Sequence, residues 1–127
     1  MAKKFSFRGL SEDELRVLSI SEFCNLITSR ERRSLKRGLS DSQKKLIDNI
    51  KKNPDKTHKT HERNLVIIPQ MLGAKLSVYT GKEWAMVDIT PDKLGHRLGE
   101  FSLSRRRIKH SAPGVGASRS SKHTSIK

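Results

Sequence analysis

The chain has 127 residues, with 27 Lys and Arg against 13 Asp and Glu, for a formal net charge of +14. That length suits one domain, and so cationic a composition points to nucleic acid or an anionic membrane surface as partner. The membrane is disfavoured: no apolar run approaches the ~18–20 residues of a spanning helix, and the basic C-terminal stretch has no amphipathic apolar face. Met1-Ala2-Lys3-Lys4-Phe5 lacks a signal-peptide apolar core, so a cytoplasmic protein is expected. Cys24 is the only cysteine, which excludes an internal disulfide and a multi-cysteine zinc site.

In chain order, residues 1–9 form a basic leader. Ser11 and Glu14 then predict a capping box, with Leu10 and Leu15 as its hydrophobic staple. Ser19 and Glu22 repeat the arrangement, stapled by Leu18 and Phe23. The second helix is expected to carry Phe23, Leu26 and Ile27 inward, to continue through the cationic run Arg30 to Arg37, and to stop at Gly38. Cys24 falls among its apolar positions and reads as a small core residue. Ser40 and Gln43 cap a third helix that runs to about Asn53, with Leu46, Ile47 and Ile50 as its buried stripe. Pro54 ends it, and residues 55–63 read as a polar, basic loop.

The β-branched run Leu65-Val66-Ile67-Ile68, closed by Pro69, is expected to be a buried strand. Lys75 to Tyr79 and Trp84 to Ile89 are two further strands, joined by the hairpin loop Thr80-Gly81-Lys82-Glu83. On the last strand Ala85, Val87 and Ile89 share the apolar face. Thr90, Pro91 and Gly95 then frame a short turn. The aromatic residues read as scattered, with no pair in adjacent strands, so recognition of single strands by base stacking is disfavoured and recognition of structured RNA by backbone and shape is expected.

From Ser104 to Lys127 there are seven Lys or Arg and no Asp or Glu. This stretch has too little apolar surface to offset its ordering entropy, so alone it should be disordered and should order on a polyanion. His58 and His61 could suggest a metal, but they lack a nearby cysteine or obvious carboxylate and read as RNA or solvent contacts. His96 and Glu100 would face each other one helical turn apart, with no nucleophile or pocket signal to make them an acid–base pair. No cofactor is implied.

At Gly95-His96-Arg97-Leu98-Gly99-Glu100-Phe101-Ser102, followed by Arg105-Arg106-Arg107 and Lys109-His110, the chain closely resembles the S-nineteen family of small-subunit ribosomal proteins. Arg63 through Gly73 and Val78 through Trp84 agree with the family in the same order, so the resemblance covers roughly residues 40–112. The segment before Ser40 resembles the N-terminal extension of archaeal and eukaryotic members, here Arg32-Arg33-Ser34-Leu35-Lys36-Arg37-Gly38-Leu39, and the short chain favours an archaeal source. The resemblance implies an α+β fold, N-terminal helices followed by a small three-stranded sheet packed beside a helix. It also implies a non-enzymatic role on rRNA in the subunit head (the 3′ major domain), beside the S-thirteen family protein. The C-terminal tail would reach toward the decoding site and A-site tRNA.

Three regions are expected: a helical extension over 1–38, an rRNA-binding core over 39–110 and a basic flexible tail over 111–127. The nominated RNA contacts are Arg32, Arg33, Lys36, Arg37, Lys56, His58, Lys59, His61, Arg63, Lys82, His96, Arg97, Arg105, Arg106, Arg107, Lys109, His110, Arg119 and Lys122. Glycines 95 and 99 are expected to permit sharp turns or close approach, and Glu100 to orient an Arg or His. The competing readings are a chromatin-type DNA binder and an RNA-processing enzyme using His96 and Glu100.

Overall fold

Local capping chemistry starts three of the four helices, and the computed structural model describes residues 4–111. Helix α1 spans Glu12–Val17, α2 Ile20–Leu26, α3 Ser29–Lys36 and α4 Asp41–Lys52. Full capping boxes open α1, α2 and α4, from Ser11, Ser19 and Ser40. In the first two, the Glu carboxylate returns to the cap backbone at 2.7 and 2.9 Å.

The expected continuous second helix is instead two. Ile27 and Thr28 are both extended, with ψ of 169° and 157°, and break the chain between α2 and α3. The reason lies in side chains. Thr28, at the N-cap of α3, makes no side-chain bond to the helix backbone; its hydroxyl donates to the Glu31 side chain, which holds the extended residue against the first turn of the new helix. Arg32 donates to the carbonyls of Cys24 at 2.8 Å and Ile27 at 3.0 Å, satisfying orphan acceptors at the end of α2.

The three-stranded sheet has the order β1-β2-β3, with β1 at His58–Thr60, β2 at Lys75–Tyr79 and β3 at Trp84–Asp88. Strand β2 pairs antiparallel with β3 across the expected hairpin and parallel with β1, where Lys59 faces Ser77. The fold is α+β, but its third strand is not the one expected. Strand β1 lies in the segment read as a polar loop. Leu65 to Ile68 belongs to no sheet; it runs extended through the core, each side chain at most 2 % exposed. Its backbone bonds to the glycine loop instead: Ile67 N–H to His96 O at 2.8 Å, Gly95 N–H to Ile67 O at 3.0 Å, Leu98 N–H to Leu65 O at 3.1 Å. A β-branched buried run marks burial, and the partner that satisfies its amides is not written in it.

One apolar core unites both halves of the chain. Leu15, Phe23, Cys24, Ile27 and Leu35 from α1–α3 join Leu46, Ile47 and Ile50 of α4 and the sheet residues Leu76, Val78 and Val87. On β3, Val87 is buried with the following Ile89, while Trp84, Met86 and Asp88 face outward, as the alternation predicts.

Candidate nucleic-acid interface

The nominated cations divide into two groups by what their side chains touch. The first group is turned inward. Arg63 donates from Nη1 to Tyr79 O at 3.0 Å and Ser102 Oγ at 2.8 Å, and from Nη2 to Ser102 O at 2.6 Å and Gly99 O at 3.2 Å. One guanidinium thus ties the end of β2 to the loop after the 3-10 turn Leu98–Phe101. Its rigid fork suits this, where a Lys ammonium would not. Arg97 donates to Asn64 O at 2.9 Å and Ser34 Oγ at 2.7 Å, and its Nε lies 3.5 Å from Glu31. It joins α3 to the glycine loop. Arg32 closes α2, as described above.

Glu31, which the sequence reading passed over, sits at the centre of this network. It is 5 % exposed and held by Thr28, Arg30 and Arg97. The Thr28 hydroxyl chiefly, with Arg30 adding to it and burial opposing, holds its carboxyl down at about 2. Its signal in the sequence was a lone acid three residues after Thr28 inside a cationic run.

The glycines have separate duties. Gly95 adopts φ +77°, and a Cβ there would lie 3.0 Å from Ile27 Cγ2. Gly99 donates to Arg63 O at 2.9 Å, and a Cβ would stand 3.1 Å from that same oxygen. The loop is therefore glycine-bearing for internal contact as well as for shape. His96 Nδ1 lies 2.7 Å from Glu100 Oε2, and the His96 ring meets Phe101 edge-on at 5.9 Å. Glu100 orients a histidine, as expected.

The second group faces solvent. Arg33 and Lys36 on α3 and Arg37 at its C-terminal cap are exposed. With Ser29, Arg30 and Arg32 they line a shallow depression of about 790 Å³ in which no carboxylate takes part. Arg105, Arg107, Lys109 and His110 are exposed, while Arg106, also exposed, reaches back to Glu83 in the hairpin loop. Lys56 and Lys82 are exposed. His58 is half-buried and hydrogen-bonded through Nε2 to Asn53 O at 2.9 Å, at the end of α4. Arg119 and Lys122 lie outside the described residues.

His61 and Lys59 belong to an arrangement the sequence reading missed. Tyr79 and Trp84 are direct partners in the β2–β3 register, with ring centroids 5.1 Å apart. His61 lies 4.7 Å from Tyr79 and 5.2 Å from Trp84, and Lys59 Nζ stands 5.3 Å over the Trp84 ring. The aromatics are thus not all scattered. A four-residue loop at 80–83 necessarily sets 79 opposite 84, so the hairpin itself held the signal.

Fold and surface together define a small α+β scaffold, stapled internally by its own arginines, that presents other cations outward. The family model for ribosomal protein S19 matches residues 33–110. The chain is 45 % identical to the small ribosomal subunit protein uS19 of Saccharolobus solfataricus, over 98 % of this chain and 93 % of that protein. It is 42 % identical to uS19 of Methanococcoides burtonii, over 98 % of this chain and 90 % of that protein. The chain belongs to the ribosomal protein S19 family and is a small-subunit ribosomal protein. Its homologues are structural proteins of the ribosome and not enzymes. Both relatives are archaeal, and they match through α1, α2 and the start of α3, upstream of residue 33 where the family model begins.

Proposed function

We propose that this chain binds small-subunit rRNA in the subunit head, in the 3′ major domain, through cations held out from a scaffold that other arginines fix. The observation that carries this reading is the division of labour among the basic side chains. Arg63 and Arg97 have their donors engaged by backbone and side-chain acceptors. Arg33, Lys36 and Arg37 line a depression with no carboxylate among its lining residues. Phosphate oxygens are the acceptors that such a surface fits, and Arg forks meet them bidentately. Arg105, Arg107, Lys109 and His110 add a second set of exposed cations where the chain leaves the core.

In this reading α1–α3 brace the rRNA-binding core, since Glu31 and Ser34 hold Arg97. The family resemblance supports a position beside the S-thirteen family protein and a tail over 111–127 directed at the decoding site. Seventeen residues at ~3.1–3.4 Å each span roughly 50–60 Å when extended, enough to reach A-site tRNA from the head. The small, cation-free stretch Ala112-Pro113-Gly114-Val115-Gly116 suits a narrow passage, with Arg119 and Lys122 beyond it to meet a phosphate backbone.

Residue-resolved crosslinking on purified small subunits tests the proposal. RNA crosslinks are expected at Arg33, Lys36, Arg37, Arg105, Arg107 and Lys109, with Arg63 and Arg97 silent. Crosslinks to protein alone at α3 and at 105–109 would contradict it.

A further inference from the structure

The outer face of the sheet carries a second surface that phosphate binding does not explain. At its hairpin end three rings meet, His61, Tyr79 and Trp84, on two strands and the residue just after a third. The cluster is fixed from below. Tyr79 donates its hydroxyl to Gly81 O at 2.9 Å, and Arg63 grips the Tyr79 carbonyl at 3.0 Å. Yet it is not sealed: His61 is exposed, Trp84 is 38 % exposed and the adjoining Met86 61 %. A large aromatic left half open on a rigid sheet is an unfinished contact.

The charge around it says what would finish it. Lys59 stands over the Trp84 ring and Lys82 projects from the loop. The nearby carboxylates are engaged. Glu83 is held by Arg106, and Glu62 accepts from Ser42 Oγ at 2.7 Å and Gln43 Nε2 at 3.1 Å. Asp88 sits at the far end of β3, opposite Lys75. Open rings among cations fit a planar, electron-rich group on an anionic chain, which is a nucleobase out of its helix.

We propose that Trp84, backed by Tyr79 and His61, is a stacking platform for an unpaired RNA base. The proposal rests on the rRNA-binding reading above and adds to it a contact by stacking, where the α3 face makes contacts by charge. Lys59 and Lys82 flank the base and take its adjacent phosphates.

Trp84 is the only tryptophan, so its emission reports on the platform directly. The full chain is titrated, at one fixed salt concentration, with a transcript of the rRNA 3′ major domain, with short single-stranded oligoribonucleotides and with a fully paired RNA duplex. Stacking predicts quenching by the transcript and the oligoribonucleotides, and little by the duplex. Trp84→Leu keeps apolar bulk without an aromatic face and should weaken transcript binding on the order of 5- to 150-fold, whereas Trp84→Phe keeps most of the affinity. Thermal melts confirm that each variant is folded; if the Leu variant is not, the quenching of the unmodified chain and the Phe variant decide. Salt-dependent transcript binding with unchanged emission and an unaffected Leu variant overturns the platform and leaves rRNA binding standing. Emission that responds only to an added small-subunit protein also overturns it, since the face is then a protein contact. No binding to any RNA overturns both.

Discussion

Replacing Arg63 by Ala separates a scaffold arginine from an RNA contact. Its guanidinium makes four hydrogen bonds between 2.6 and 3.2 Å, to Tyr79 O, Gly99 O and both oxygens of Ser102. Ser102 is 1 % exposed and Gly99 half-buried, so water replaces the lost donors poorly. A hydrogen bond from a charged donor contributes ~1.5–3 kcal/mol, and acceptors left buried and unmet add to the loss. The four bonds share one group and do not add, so a total of about 3–5 kcal/mol is expected. For a domain of this size that is a fall in Tm of roughly 10–20 °C. Lys restores only part of it, because a single ammonium cannot reproduce the fork. Differential scanning calorimetry of the free protein, without RNA, measures the effect. A Tm within ~2 °C of the unmodified chain, together with weakened rRNA binding, would refute the scaffold assignment and return Arg63 to the interface.

Glu31 makes stability pH-dependent. Its carboxyl is held at about 2 in the folded chain against 4.5 ordinarily, so the stability it contributes is complete above pH ~4.5 and is lost as pH falls through the folded value. Acid titration followed by circular dichroism should show this loss, and Glu31→Gln should flatten it. Gly99→Ala forces a Cβ to 3.1 Å from Arg63 O and should cost ~1–3 kcal/mol in urea unfolding, and Gly95→Ala should cost more, since it adds a left-handed φ of +77° to a 3.0 Å approach to Ile27. Deleting residues 111–127 should permit assembly into the subunit head and weaken A-site tRNA retention; deleted subunits that hold A-site tRNA as well as intact ones at matched salt would reject that role for the tail.

What was legible in the sequence was what short-range chemistry determines. Ser11, Ser19 and Ser40 each find their partner three residues on, and the Thr80–Glu83 loop sets its own strands. The break at Ile27-Thr28 is hard to read because α3 has no capping box to announce it and Glu31, the acid bonded to Thr28, stands among arginines that suggest one long cationic helix end. Strand β1 was missed because three polar residues at a sheet edge carry no apolar alternation. Leu65 to Ile68 was misjudged because burial alone does not distinguish a strand from an extended segment paired to a loop. The inward turn of Arg63 and Arg97 depends on partners 33 to 66 positions away, Arg63's bond to Tyr79 excepted, and charge counting sees every arginine as surface. Without those contacts, scaffold and interface look alike.

The central claim, that outward cations bind rRNA while inward ones hold the scaffold, is tested most directly by the salt dependence of binding to the 3′ major domain transcript. With about seven to ten phosphates neutralised, affinity should drop on the order of 10³–10⁵-fold between 50 and 200 mM salt. Changing Arg33, Lys36 and Arg37 together to Gln should lower the double-logarithmic slope by about 2–3, and Arg97→Gln should lower stability while leaving the slope in place. A flat salt response in the unmodified chain, or a slope that Arg97→Gln lowers and the α3 triple variant does not, would contradict the account.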